Sequence, residues 1–195
     1  IRIGAFDMNR GEMRYFTNDD ITDISSLMKI VRSSSSMPIL MPPCRIGDDL
    51  YIDGGLGGGI SLDIAKKDGF EKFFVILTRP KGYRKKPMKM QNALNAYYKN
   101  YPHVAKAMEN RYIIYNKKLD ELENLEEQGK AFLVYPDVMP VSNRETNYNK
   151  LQASFHLGYE QGVKDIHKWI EFLALDLPDL SSQIDAEDKE LSEVK

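Results

Sequence analysis

Two apolar runs, "KFFVILT" at 72–78 and "KAFLVYP" at 130–136, flank a helix-rich stretch from about Met88 to Gln128. In the first run the apolar residues follow one another instead of alternating. That is the pattern of a strand covered on both faces, as in a parallel sheet flanked by helices. Parallel neighbours must be joined by a crossover of a dozen or more residues, usually a helix. In the intervening stretch Val104, Met108, Tyr112, Tyr115, Leu119, Leu122 and Leu125 recur at three- and four-residue spacings, and Gly129 ends the pattern. The chain is therefore expected to be α/β, as an α/β/α sandwich with a helical C-terminal extension.

The remaining elements fit that expectation. "IRIGAF" and "MRYF" read as a hairpin with Gly11 in its turn. Ile24, Leu27, Met28 and Val31 mark one apolar face of a helix, capped by Thr and Asp residues and stopped by Pro38, Pro42 and Pro43. "DLYIDGG" is a strand ending in glycine, and "SLDIAKKDG" is a short helix closed by Gly69. A last helix begins near Asn147, with Leu151, Phe155, Tyr159, Ile166, Ile170 and Leu173 on one face. From residue 176 the composition shifts to seven acids against two lysines, and the segment reads as a loosely packed tail.

The net charge of -2 excludes a globally basic nucleic-acid binder. The single cysteine, Cys44, rules out a disulfide within the chain and points to a reducing compartment. No apolar run approaches the ~18 residues that would cross a bilayer. His156 and His167 are eleven residues apart, three helical turns, too far to share a metal. No metal site is expected, and His103 reads as an ordinary helix residue.

The stretch "YIDGGLGGGI" sends Asp53 straight into a loop in which five of six residues from Gly54 to Gly59 are glycine. A dinucleotide fingerprint would need a final glycine where Ile60 stands, and no Lys-Ser or Lys-Thr follows to make a P-loop. Two readings stay open on these residues alone. Asp-Gly is a common turn pair. A carboxylate beyond the carboxyl end of a strand in an α/β sheet is also placed for general-base work.

The ordered set "RSSSSMPILMPPCRIGDDLYIDGG" resembles the patatin-like phospholipases, with Ser33 to Pro38, Pro42-Pro43 and Asp53-Gly54-Gly55 in family order. "FFVILTRPKGYRKKP" and "YPDVMPVSNRETNYNKL" look like the bacterial branch. The family often has Asn or Asp and then Pro after Asp-Gly-Gly, where this chain has Gly57-Gly58-Gly59-Ile60-Ser61. The resemblance implies a serine lipid acyl hydrolase with a Ser–Asp dyad and no cofactor. Asp53 would be the base, and Gly54 and Gly55 would form the substrate loop. Neither the family's Gly-x-Ser-x-Gly elbow nor its oxyanion loop is found before Asp53. The chain is accordingly read as the C-terminal part of such a protein: 1–140 the patatin-like α/β domain, 141–175 a helical extension, 176–195 an acidic tail. The alternative is a non-catalytic lipid- or protein-binding scaffold with the same fold.

"RPKGYRKKPMK", Arg79 to Lys89, holds six basic residues and no acid. If its strand runs parallel to that of Asp53, the loop emerges at the same sheet edge. Arg79, Lys81, Arg84, Lys85 and Lys86 are then expected to meet anionic lipid headgroups, each charge contributing up to ~1 kcal/mol at a membrane surface. The expected partners are a lipid ester and an anionic membrane surface touched peripherally, with no nucleic acid. A cytoplasmic location and self-association into a homo-oligomer are further expectations.

Overall fold

The computed structural model of the chain describes residues 1–89, 91–142 and 145–174. The expected acidic tail at 176–195 lies outside the described residues. The protein is mixed α/β and divides into two compact units. One holds Ile1–Glu71 with Arg84–Asn124, and the other holds Lys72–Tyr83 with the described residues from Leu125 onward.

The first unit is built on a four-stranded sheet. β1 (Ile3–Asp7) and β2 (Glu12–Phe16) form the expected hairpin, with Gly11 at φ +75°. After α1 (Ile24–Ser35) come β3 (Cys44–Ile46) and β4 (Asp49–Asp53). The strand order is β2-β1-β4-β3, and all three pairings are antiparallel. The hairpin turn is tied down by Asp7, which is buried and accepts the amides of Asn9 and Arg10 at 2.8 and 2.9 Å. Arg10 bridges Asp7 to Asp49 and holds the Asp49 carboxyl below the usual carboxylate range.

Period-two alternation decides which helix covers which face of this sheet. Phe6 and Ile52 point one way and pack with Leu94, Tyr98, Val104 and Met108 of α3 (Gln91–Tyr97), α4 (Pro102–Glu127) and the turn between them. Ala5 and Tyr51 point the other way and pack with Phe16 and with Ile30 of α1. Helices therefore lie on both faces.

The helix α1 forms where expected, with Asp23 accepting the Ser26 amide at 2.7 Å as its cap. Its buried side is not the apolar stripe, however. Ile24, Met28 and Val31 are exposed, and the helix buries Ile30 and Ser33. A small serine lets the helix backbone come close to the sheet. Ser33 bonds back to the Ile30 carbonyl, and Ser34 Oγ donates to Gly4 O at 2.7 Å. Ser36 O accepts the Asp53 amide at 2.9 Å. The serine run is thus the close-packed end of a helix.

In the second unit, β5 (Phe73–Ile76) and β6 (Ala131–Val134) pair in parallel, from Phe73↔Ala131 to Ile76↔Val134. The predicted crossover is therefore present. α5 (Tyr148–Leu173) starts at an Asn147 cap. It meets the strands through aromatic edges: Trp169 on Phe74 and Phe172 on Phe132, each with ring centroids 5.5 Å apart. Along the apolar stripe Tyr159, Ile166 and Ile170 are half-buried, while Leu151, Phe155 and Leu173 are exposed.

One expectation is corrected here. β5 and β6 group with α5 in the second unit. β4 and β5 belong to different sheets, and both neighbours of β4 are antiparallel to it. Sheet order therefore does not deliver the basic loop to the edge where Asp53 sits.

Candidate functional site

Asp53 is the last residue of β4, an interior strand of its sheet, opposite Ala5 on β1. The next four residues, Gly54–Gly57, form a single 3-10 turn. Asp53 caps it: Oδ1 accepts the Gly55 amide at 2.6 Å. Among the described residues no group donates to Oδ2. The half-buried carboxylate is thus fixed through one oxygen.

The glycines have separate reasons. A Cβ on Gly54 would fall well inside van der Waals contact distance of the Gly4 carbonyl oxygen, so β1 and the turn meet as bare backbone. Gly58 has φ +105°, and a side chain there would also strike Ile114 Cγ2 at 2.7 Å. At Gly55 a Cβ would stand 2.6 Å from Asp53 Oδ1 and 3.0 Å from Arg111 Nη2. At Gly54 and Gly58 the space a side chain would take is filled by the protein itself. Gly54, Gly55, Gly57 and Gly59 do line an open cleft of about 300 Å³, together with Tyr15 and Ser61. Tyr15 and Ser61 share a hydrogen bond, but burial, then the nearby Asp63 charge, still push the Tyr15 hydroxyl up from its ordinary range.

One face of α4 holds this loop, and sequence reasoning missed it. Arg111 lies against Gly55 and Ile114 against Gly58. Lys118 is buried and donates to the carbonyls of Gly57 and Ile60 at 3.2 and 3.0 Å, with Asp63 Oδ2 at 2.7 Å. Positions 111, 114 and 118 recur at three- and four-residue spacing, so they share a helix face. The available signal was Lys118 itself, a cation beside Leu119 in an otherwise apolar stripe.

Lys118→Met keeps the stem and removes the ammonium. Two loop carbonyls then lose their donor, at roughly 1–3 kcal/mol for each buried polar group left unsatisfied. Urea denaturation of the variant is expected to show a lower midpoint, and amide exchange from Gly57 to Ile60 is expected to quicken. An unchanged midpoint with unchanged exchange would mean that the lysine does not hold the loop.

The basic residues are partly engaged within the chain. Arg84 is paired with Asp120 at 2.8 Å and Glu123 at 2.6 Å. Lys85 lies 4.2 Å from the Tyr115 ring centroid, and its backbone is clasped by Asn116. In the second unit Arg79 stacks on Tyr83 and Lys81 lies over Tyr135. Lys86 is exposed. Among the described residues no group of three or more His, Cys, Asp or Glu is placed to hold a metal ion. Among them, too, no helix is long and apolar enough to cross a membrane.

A family described as "Domain of unknown function (DUF6363)" matches residues 101–174, less than half of the chain, spanning α4, β6 and α5. No curated protein matches the chain significantly.

Proposed function

We propose that this chain supplies the Asp of a Ser–Asp dyad in a patatin-like lipid acyl hydrolase. The observation that carries the reading is the Asp53 carboxylate at the end of an interior strand, held through Oδ1 by the Gly55 amide, beside a glycine-lined cleft. The ordered Ser–Pro–Asp-Gly-Gly sequence context supports the family. Helices on both faces of the sheet are compatible with its sandwich.

The serine comes from a Gly-x-Ser-x-Gly elbow outside these 195 residues. Its hydroxyl gives a proton to Asp53 as Oγ attacks the ester carbonyl. The tetrahedral intermediate collapses, the proton passes to the departing alcohol, and an acyl-serine remains. Water, deprotonated by the same carboxylate, then releases the fatty acid and regenerates the serine. The protein works in the cytoplasm and touches anionic membrane through cations such as Lys86. The exposed stripe of Ile24, Met28 and Val31 supports self-association.

The scaffold reading has one observation in its favour. The Asp53–Gly55 hydrogen bond is also what an Asp-Gly turn makes with no chemistry attached. Ester hydrolysis separates the two. The chain alone is expected not to hydrolyse p-nitrophenyl esters above a denatured control, and a protein joining it to the elbow is expected to turn over steadily. Turnover by the chain alone would place the nucleophile within it. No turnover by the joined protein would favour the scaffold.

A further inference from the structure

The segment "MPILMPP" at 37–43 has no polar side chain, yet Ile39, Leu40, Met41, Pro42 and Pro43 are all exposed. The first three stand at 54, 46 and 38% exposure. Single apolar residues on a surface are ordinary, but five in succession call for a function. The loop is also held in place. Tyr98 Oη accepts the Ile39 amide at 3.1 Å, and the Met41 amide donates to Met37 O at 3.0 Å. Ile39 has φ +70°, a backbone that a β-branched side chain adopts only under strain. Pro42 and Pro43 fix φ behind it. A loop held this way loses little freedom when it docks.

Both ends of the loop stand on α1. Ser36 Oγ donates to Arg32 O at 2.8 Å, and Cys44 Sγ to Lys29 O at 3.6 Å. Lys29 and Arg32 are exposed, as is Arg45 just beyond the loop. From Ile24 to Gly47 these three are the only charged residues. Among the described residues none of the three forms an ion pair with an acid. Tyr97 is exposed and meets the ring of Tyr98 edge-on at 4.8 Å between centroids. Exposed apolar residues, flanking cations and a surface tyrosine suit a segment seated in the interface of a bilayer. Its apolar side chains leave water, the cations meet anionic headgroups, and tyrosine lies at headgroup level.

We propose that the 37–43 loop docks the protein on an anionic lipid surface. Ile39, Leu40 and Met41 enter the interface, and Lys29, Arg32 and Arg45 meet the headgroups. The Asp53 amide donates to Ser36 O at 2.9 Å, so the loop begins beside the candidate site. Only the bearing of docking on ester hydrolysis rests on the function proposed above.

Vesicle flotation of the 195-residue chain tests this without turnover, using phosphatidylcholine vesicles with and without phosphatidylglycerol. Binding to the anionic vesicles is expected, and part of it is lost at high salt. Leu40→Glu is expected to weaken binding about 10-fold or more, the scale of keeping a leucine side chain in water. Its melting temperature should match wild type, because Leu40 is exposed. Lys29→Gln combined with Arg32→Gln is expected to remove mainly the salt-sensitive part. Leu40→Trp puts a fluorophore in the loop, and brominated lipid is expected to quench it more than it quenches Trp169 in wild type. No binding by wild type would overturn the proposal, as would unchanged binding in a folded Leu40→Glu. If that variant does not fold, equal quenching in Leu40→Trp and wild type decides against the loop. Equal binding to the two kinds of vesicle would overturn the role of the cations. If wild type ignores vesicles and Leu40→Glu instead breaks up a self-associated species in light scattering, a second copy covers the loop and the proposal falls. Binding is read without hydrolysis, so loss of the catalytic reading would leave this result standing.

Discussion

Asp53→Asn is expected to lower kcat about 10²–10⁴-fold in a protein that joins this chain to the proposed serine elbow, the usual cost of losing a general base. That corresponds to roughly 3–5 kcal/mol of barrier. KM is expected to stay within a few-fold, because proton transfer develops in the transition state. The substitution is nearly isosteric, and the Asn carbonyl oxygen can still accept the Gly55 amide that Oδ1 accepts now. Folding should therefore survive, and the melting temperature is measured alongside to show it. An amide is hardly basic, so only the proton-accepting role disappears. If Asp53 merely caps the turn, Asn is a good substitute and kcat stays within a few-fold.

Gly54→Ala is expected to have the largest effect on stability. The new methyl would overlap the Gly4 carbonyl oxygen. That oxygen is part of β1's backbone and accepts Ser34 Oγ, so it has little freedom to yield. Overpacking of a tight site usually costs about 1–3 kcal/mol, and a rigid backbone obstacle belongs at or beyond the top of that range. For a domain of this size a cost of about 3 kcal/mol lowers Tm by roughly 10 °C or more. Gly158→Ala is the contrasting case. Gly158 is exposed within α5 and a Cβ there meets nothing. Removing glycine's flexibility from a helix is expected to stabilise by about 0.5–1 kcal/mol. A Gly54→Ala protein that melts with wild type would mean that β1 and the turn are not in close contact.

The elements set by local chemistry were legible in the sequence. Gly11 and the β-prone runs around it specify a hairpin. Asp53-Gly54-Gly55 specifies a strand ending in a turn. The paired apolar runs with helix between them specify a parallel crossover. What was not legible depends on which side of an element finds a partner. Periodicity shows that Ile24, Met28 and Val31 share a face of α1, but it does not say that the face is inward. The helix instead turns Ser33 and Ile30 to the sheet, because a small side chain permits closer packing. The same limit applies to α5, where the bulk of Trp169 and Phe172 outweighs the stripe through Leu151 and Phe155.

The candidate site was legible only in its first half. Asp53 and its glycines are contiguous, so a sequence can announce them. Arg111 and Lys118 reach the loop from a helix about 60 residues further on, and their role follows only from how α4 lies against the turn. The basic loop shows the opposite error. A run of like charges looks solvated in sequence, yet Arg84 finds Asp120 and Glu123, one turn apart on α4. Lys86 alone of Arg84, Lys85 and Lys86 stays exposed.

Covalent trapping tests the central claim most directly. A fluorophosphonate is added to the protein that joins this chain to its elbow, and mass spectrometry reads both the labelled residue and the rate of labelling. The account predicts a single phosphonylated serine, in the Gly-x-Ser-x-Gly elbow, formed quickly in wild type and at least 10²-fold more slowly in Asp53→Asn. Labelling at equal rates in the two proteins, or labelling of Ser61 in the glycine-lined cleft instead, would contradict it.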